Sequence, residues 1–193
     1  MGLVCGFGVN DADYVVRPST GARWEICPAY DAWRGMIQRC YSDKFQVKNK
    51  TYCGVSVCDE WRSFMAFREW WIENHVDGWQ LDKDLLSDAR VYSPDTCIYV
   101  PGWLNKFTND RMAARGDFPV GVYFHKQIGK FHARCSNPLT GKNESLGYFA
   151  SKEHAHSKWF DRKIKIAFEL KAEMDKIDAR IYPRVIEKIE ANL

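Results

Sequence analysis

Residues 119–155 read PVGVYFHKQIGKFHARCSNPLTGKNESLGYFASKEHA. Three short runs rich in β-branched and aromatic residues alternate with turn signals, the pattern of a small antiparallel sheet. Val120–Tyr123 is the first predicted strand, Lys130–Cys135 the second and Ser145–Phe149 the third. Asn137-Pro-Leu-Thr-Gly141 supplies a turn between the last two. Ser151 then stands where a helix cap is expected, with Glu153 and His154 in the first turn. Ala155, Trp159, Ile166 and Leu170 recur at helical spacing on one face. Residues 119–172 therefore predict three strands packed on one long helix, and a short helix is expected over 183–191.

Strand alternation divides that sheet into two faces. Val122, Phe124, Phe131, Ala133, Leu146 and Tyr148 form the expected inward set, with Phe124 ambiguous. Tyr123, His125, Lys126, Lys130, His132, Arg134 and Lys142 form the expected outward set.

The residues before this stretch have a different character. Pro28 precedes Tyr30, Trp33, Ile37 and Cys40 at helical spacing, which predicts an amphipathic helix over 29–41. Residues 42–53 are polar and read as a loop. Gly54–Cys58 alternates like a strand, and Asp59 is the expected cap of a helix that buries Trp61, Phe64, Phe67 and Trp71. A short strand is expected within 79–86, a turn over 92–97, a strand over 98–100, and a helix after Pro101. The fold class is α+β. The expected domains are residues 1–110, a linker over 111–118, and residues 119–193.

The whole-chain charge of +3 hides an asymmetry. Residues 1–110 carry 12 Lys and Arg against 15 Asp and Glu, a net of −3, whereas residues 111–193 carry 16 against 10, a net of +6. Within 111–143 six basic residues accompany one acid, Asp117. A basic stretch of this kind is the electrostatic footprint of a polyanion partner.

Seven cysteines without a CxxC pair read as reduced thiols, buried as small hydrophobes. A structural Zn²⁺ held by some of Cys27, Cys40, Cys58 and Cys97 is the alternative. No apolar run approaches the ~18 residues of a membrane span, and the first residues lack the basic region of a signal peptide.

Two resemblances follow from these motifs. Tyr30, Trp33, Met36, Arg39-Cys40, Gly54-Val55, Val57-Cys58, Glu60-Trp61, Phe64 and Phe67 lead into Leu81-Asp82-Lys83-Asp84 and Tyr92-Ser-Pro-Asp-Thr-Cys97. Over roughly 28–108 the chain resembles the HNH nuclease motif of phage homing endonucleases. That resemblance implies a ββα unit in which Asp82 and Asn105 hold Mg²⁺ or Mn²⁺ beside a scissile phosphate. Lys83 occupies the place of the catalytic His, and Thr96 the place of the middle Asn that braces the hairpin. Lys83 suits phosphate contact rather than base catalysis, because its neighbours Asp82 and Asp84 favour the ammonium form. His75 is the other candidate for activating water.

The second set is Gly121-Val122-Tyr123, Gly129 to Arg134, Leu146 to Phe149, and Glu153-His154-Ala155. Over residues 119–172 it resembles the ethylene-response-factor (Apetala-type) DNA-binding domain, whose sheet lies in the major groove. The resemblance implies double-stranded DNA as partner. Arg134 and Lys130 would meet guanine edges or phosphates, and Lys126 and Lys142 phosphates. Together the two imply a phage protein in the cytoplasm of the infected bacterial host. It would be either a metal-dependent endonuclease or nickase, or a non-cutting DNA-binding regulator derived from one. A protein-interaction module is the third reading.

Overall fold

Pro28 has no amide hydrogen to leave unpaired at a helix start, and α1 (Pro28–Tyr41) begins there. Its apolar stripe buries Ala29, Trp33, Met36, Ile37 and Cys40. The computed structural model describes residues 2–18, 26–109 and 118–193. Apart from Phe118, the expected linker over 111–118 lies outside these. The chain divides into two compact units, Met1–Tyr99 and Val100–Leu193.

The first unit is built on aromatic packing. α3 (Phe64–Asn74) is capped by Ser63, whose hydroxyl oxygen accepts from Ala66 N at 3.0 Å. Ser63 Oγ in turn donates to Asp11 Oδ2 at 2.6 Å. The expected cap, Asp59, instead precedes a 3₁₀ turn, Glu60–Arg62. That turn places Trp61 in the core, and Trp33 Nε1 donates to Trp61 O at 2.7 Å, tying α1 to it. Trp33, Trp61, Phe64 and Phe67 are fully buried. Four such rings remove enough apolar surface from water to organise a unit this small.

Residues expected as loop over 42–53 hold α2 (Asp43–Lys48) and a 3₁₀ turn, Lys50–Tyr52. No α2 residue is buried, so no apolar stripe marked it in advance. β1 (Ser56–Val57) pairs in parallel with β3 (Val91–Tyr92), and β2 (Gln80–Asp82) pairs with β4 (Ile98–Val100). Thr96 braces the connection between β3 and β4. Its hydroxyl donates to Val91 O at 2.7 Å and accepts from Ser93 N at 3.1 Å.

The second unit starts with the end of β4 and α4 (Gly102–Thr108). β5 (Val122–His125), β6 (Lys130–Asn137) and β7 (Lys142–Phe149) form an antiparallel sheet in the order β5-β6-β7. Ser151 caps α5 (Lys152–Glu169), accepting from His154 N at 3.2 Å. Val122 and Ala133 on the sheet meet Ala155 on α5, with Phe131, Leu146 and Phe149 around them. Gly121 lies against Trp159. A Cβ at Gly121 would stand 2.0 Å from the Trp159 ring, and its φ of +76° is already in the left-handed region.

Beyond Leu170 the chain forms α6 (Lys171–Ile177), which periodicity did not announce, and α7 (Ile181–Glu190). Ile181, Val185 and Ile189 are the buried stripe of α7. The protein is therefore α+β: among the described residues seven α-helices accompany a three-stranded antiparallel sheet packed on α5. Among the same residues no helix is long and apolar enough to cross a membrane.

Candidate nucleic-acid interface and candidate metal residues

The register of the sheet sorts its side chains. On β6, Phe131, Ala133 and Cys135 point toward α5, so Lys130, His132, Arg134 and Ser136 occupy the outer face. On β5, Tyr123 opposes His132 and His125 opposes Lys130, which puts both on the same outer face. Lys126 sits in the exposed turn that follows. Phe124 opposes Phe131 and belongs to the other face, with ring centroids 5.2 Å apart.

β7 departs from strict alternation. Ala133 opposes Gly147 but Arg134 opposes Ser145, so Leu146 and Gly147 together face one step of β6. This is a β-bulge, and Gly147 adopts φ +114° in it. The extra residue reverses the phase of Tyr148. Expected inward, Tyr148 instead opposes His132 on the outer face and is 41% exposed. Ser145 joins it there. Lys142, expected outward, opposes Asn137 and shares the helix-facing phase with Glu144, as unbroken alternation from Leu146 requires. Lys142 is exposed at the hairpin end, but it is not part of the outer row. A glycine inside a strand pattern was the available signal for Tyr148, and the shared parity with Leu146 for Lys142.

The outer face is an imidazole–phenol patch flanked by cations. The His132 ring stacks on Tyr148 at 4.3 Å, and His125 meets Tyr148 edge-on at 5.5 Å. His132 itself is 6% exposed, covered by these rings rather than open as expected. Tyr123 Oη is hydrogen-bonded to His132 Nδ1, and His132 Nε2 lies 2.7 Å from Ser145 Oγ. Burial, and then the charges of Arg134 and His125, hold the His132 pKa below its ordinary value, so the neutral ring is favoured. Among the described residues no carboxylate pairs with Lys126, Lys130 or Arg134. The acid of this sheet, Glu144, faces α5 and is bound to Arg162.

The candidate metal residues are engaged locally. Asp82 belongs to the first unit and Asn105 to the second. Asp82 Oδ1 accepts from the backbone amides of Asp84 at 2.7 Å and Leu85 at 2.9 Å, closing a turn. Asn105 Oδ1 accepts from Asn109 Nδ2 within α4 and the residue after it. Lys83 is 6% exposed. Its ammonium is paired with Asp84 and lies 5.6 Å from the Tyr92 ring centroid, turned into the unit rather than outward. His75 stacks on Trp71 at 4.1 Å and meets Tyr99 edge-on. An octahedral Mg²⁺ site needs several hard oxygen donors open to the ion. The oxygen most visibly placed here, Asp82 Oδ1, already holds two amides. No chemical step is derived through a metal at these residues.

All seven cysteines are free thiols. Burial pushes the Cys40 and Cys97 thiols up to about 12. Among the described residues no three His, Cys, Asp or Glu side chains are grouped as ligands.

No protein-family model, curated protein or solved structure matches the chain.

Proposed function

We propose that the protein binds double-stranded DNA through the outer face of β5–β6–β7 and does not cut it. One observation carries this reading. The face gathers Lys126, Lys130 and Arg134 without a carboxylate partner, while the acid of the same sheet is turned to the helix side and neutralised by Arg162. A face of that kind attracts a phosphate backbone, and counterion release makes the binding steeply salt-dependent. Arg134 is the residue with the geometry to grip a base edge, and Lys126 and Lys130 hold phosphates. The phenol and imidazole groups between them supply hydrogen-bonding atoms at groove depth. Derivation from a phage nuclease, acting in the bacterial host cytoplasm, is the setting this reading carries with it.

The experiment is a titration of the full chain with 30-base-pair duplexes at several salt concentrations. Binding that weakens with salt, and that Arg134→Ala weakens by about 1–3 kcal/mol, is expected. Unchanged affinity in Arg134→Ala removes the face from the proposal. Incubation of supercoiled plasmid with the protein and Mg²⁺ or Mn²⁺ should leave it intact. Metal-dependent nicks that disappear in Asp82→Ala would restore the nuclease reading and overturn the non-cutting half of the proposal.

A further inference from the structure

Resting on the DNA reading above, we infer that Tyr123, His132 and Ser145 form a hydrogen-bond relay whose two ends face two bases of the bound duplex and can offer them only one donor at a time. The three residues come from three different strands, with His132 central on β6, Tyr123 on β5 and Ser145 on β7. His132 Nδ1 is bonded to Tyr123 Oη and Nε2 to Ser145 Oγ, so both ring nitrogens are used and the ring is buried between its partners.

A neutral imidazole has one N–H and one bare nitrogen. If Nε2 carries the hydrogen, it donates to Ser145 Oγ, and Tyr123 donates its hydroxyl hydrogen to Nδ1. Ser145 then has its own hydrogen left to offer outward, and Tyr123 has only lone pairs. If Nδ1 carries the hydrogen, every bond reverses, and Tyr123 becomes the outward donor while Ser145 becomes the acceptor. Two independent hydroxyls could each donate and accept at will. Of the two hydroxyl hydrogens one is always given to the bare ring nitrogen, so the ring forbids both ends from donating outward at once, while either end can accept.

Each end is placed to meet a ligand. Tyr123 is 38% exposed and Ser145 is exposed, while the ring that couples them is covered by Tyr148. Tyr123 Oη and Ser145 Oγ flank one imidazole and so stand no more than about 7 Å apart, still further than the neighbouring polar atoms of one base edge. They therefore meet separate bases rather than one base edge. In the major groove guanine and thymine offer acceptors, while the cytosine and adenine amino groups offer donors. The relay accepts an acceptor edge at one position together with a donor edge at the other, in either order. It refuses two guanine edges.

Duplexes with a randomised centre, selected on the full chain at neutral pH and sequenced, test this. Two positions should covary, guanine or thymine at one excluding guanine or thymine at the other. Tyr123→Phe and Ser145→Ala each remove one outward group together with its bond to the imidazole. Both variants should bind duplex more weakly, keep its salt dependence through the cations of the face, and lose the covariation. Independent variation in the wild type, or covariation that survives both substitutions, overturns the relay. Long-range ¹H–¹⁵N spectra of the free protein give a readout separate from DNA. His132 should show one protonated and one bare nitrogen, with both shifts moved in each variant; two protonated nitrogens overturn the relay. If the wild type retains no duplex at all, the DNA reading falls and the ligand named here falls with it, while the imidazole spectrum still decides whether the relay exists.

Discussion

Arg162 on α5 grips Glu144 on β7 with two bonds, Nε to Oε2 at 2.7 Å and Nη2 to Oε1 at 3.1 Å. Asn137 Nδ2 adds a third donor to Oε1 at 2.7 Å, so the far end of the β6–β7 hairpin is fastened to the helix through one carboxylate. The bidentate geometry is what distinguishes this pair from ordinary surface ion pairs.

The Arg162 and Asn137 bonds draw the Glu144 pKa from its ordinary 4.5 down to about 2. A depressed carboxyl stabilises the fold above its unfolded value and loses that contribution as pH falls through the folded value. Stability is therefore expected to fall from pH 4.5 toward pH 2. Glu144→Gln should lower stability at pH 7 by about 1–2 kcal/mol, allowing for solvent screening of a partly exposed pair, and flatten that acid slope. Urea unfolding along this pH range checks both. A variant with wild-type stability at pH 7 would show that the pair contributes nothing.

Gly121→Ala should be the more damaging of two glycine substitutions. The new Cβ would stand 2.0–2.7 Å from three atoms of the Trp159 ring, and the backbone there sits at φ +76°. Overpacking and left-handed strain together should cost about 2–4 kcal/mol. Gly129→Ala shares the positive φ, at +65°, but meets nothing within 4 Å, so only about 1 kcal/mol is expected. Thermal melts of the two variants compare them directly.

Lys163 is 8% exposed, and its ammonium donates to Phe107 O at 2.6 Å while lying 3.8 Å from the Phe107 ring centroid. A cation at the last carbonyls of α4 answers both the open acceptors and the helix dipole. Lys163→Met should cost about 1–3 kcal/mol and speed hydrogen exchange of the α4 amides. Exchange that stays at the wild-type rate would separate Lys163 from α4.

Thr96→Val keeps the shape of the side chain and removes its hydroxyl. Val91 O and Ser93 N would lose their partners at a site only 8% exposed, a cost of about 1–2 kcal/mol. Denaturant titration of the variant measures it. The family resemblance implied an Asn brace at this place, and the Thr96 hydroxyl performs a brace of its own with local acceptors.

Residues whose role is local were legible in the sequence. Pro28 at the start of α1 and Ser151 at the start of α5 act through their own backbone and the next turn, so residue type and spacing were enough. The three strands and the helical stripe of Ala155, Trp159, Ile166 and Leu170 were legible for the same reason. Elements without a periodic stripe, such as α2, escaped.

The face of the sheet was only half legible. Alternation placed Tyr123, His125, Lys130, His132 and Arg134 on the outer row, and the register agrees. It misplaced Tyr148, because a bulge is a two-strand property: whether Gly147 inserts a step depends on which residues of β6 oppose it. Likewise, nothing local says that the Lys83 ammonium turns inward over Tyr92, or that Ser145 reaches His132. By itself the sequence determined the α+β class, the starts of α1 and α5, the approximate places of the three strands of the second unit and the placement of positive charge in the second half. The tertiary structure alone decided which side chains share a face and which polar groups are already engaged. Those outcomes rest on cross-strand register and on burial by residues distant in the chain, and one inserted residue is enough to reverse them.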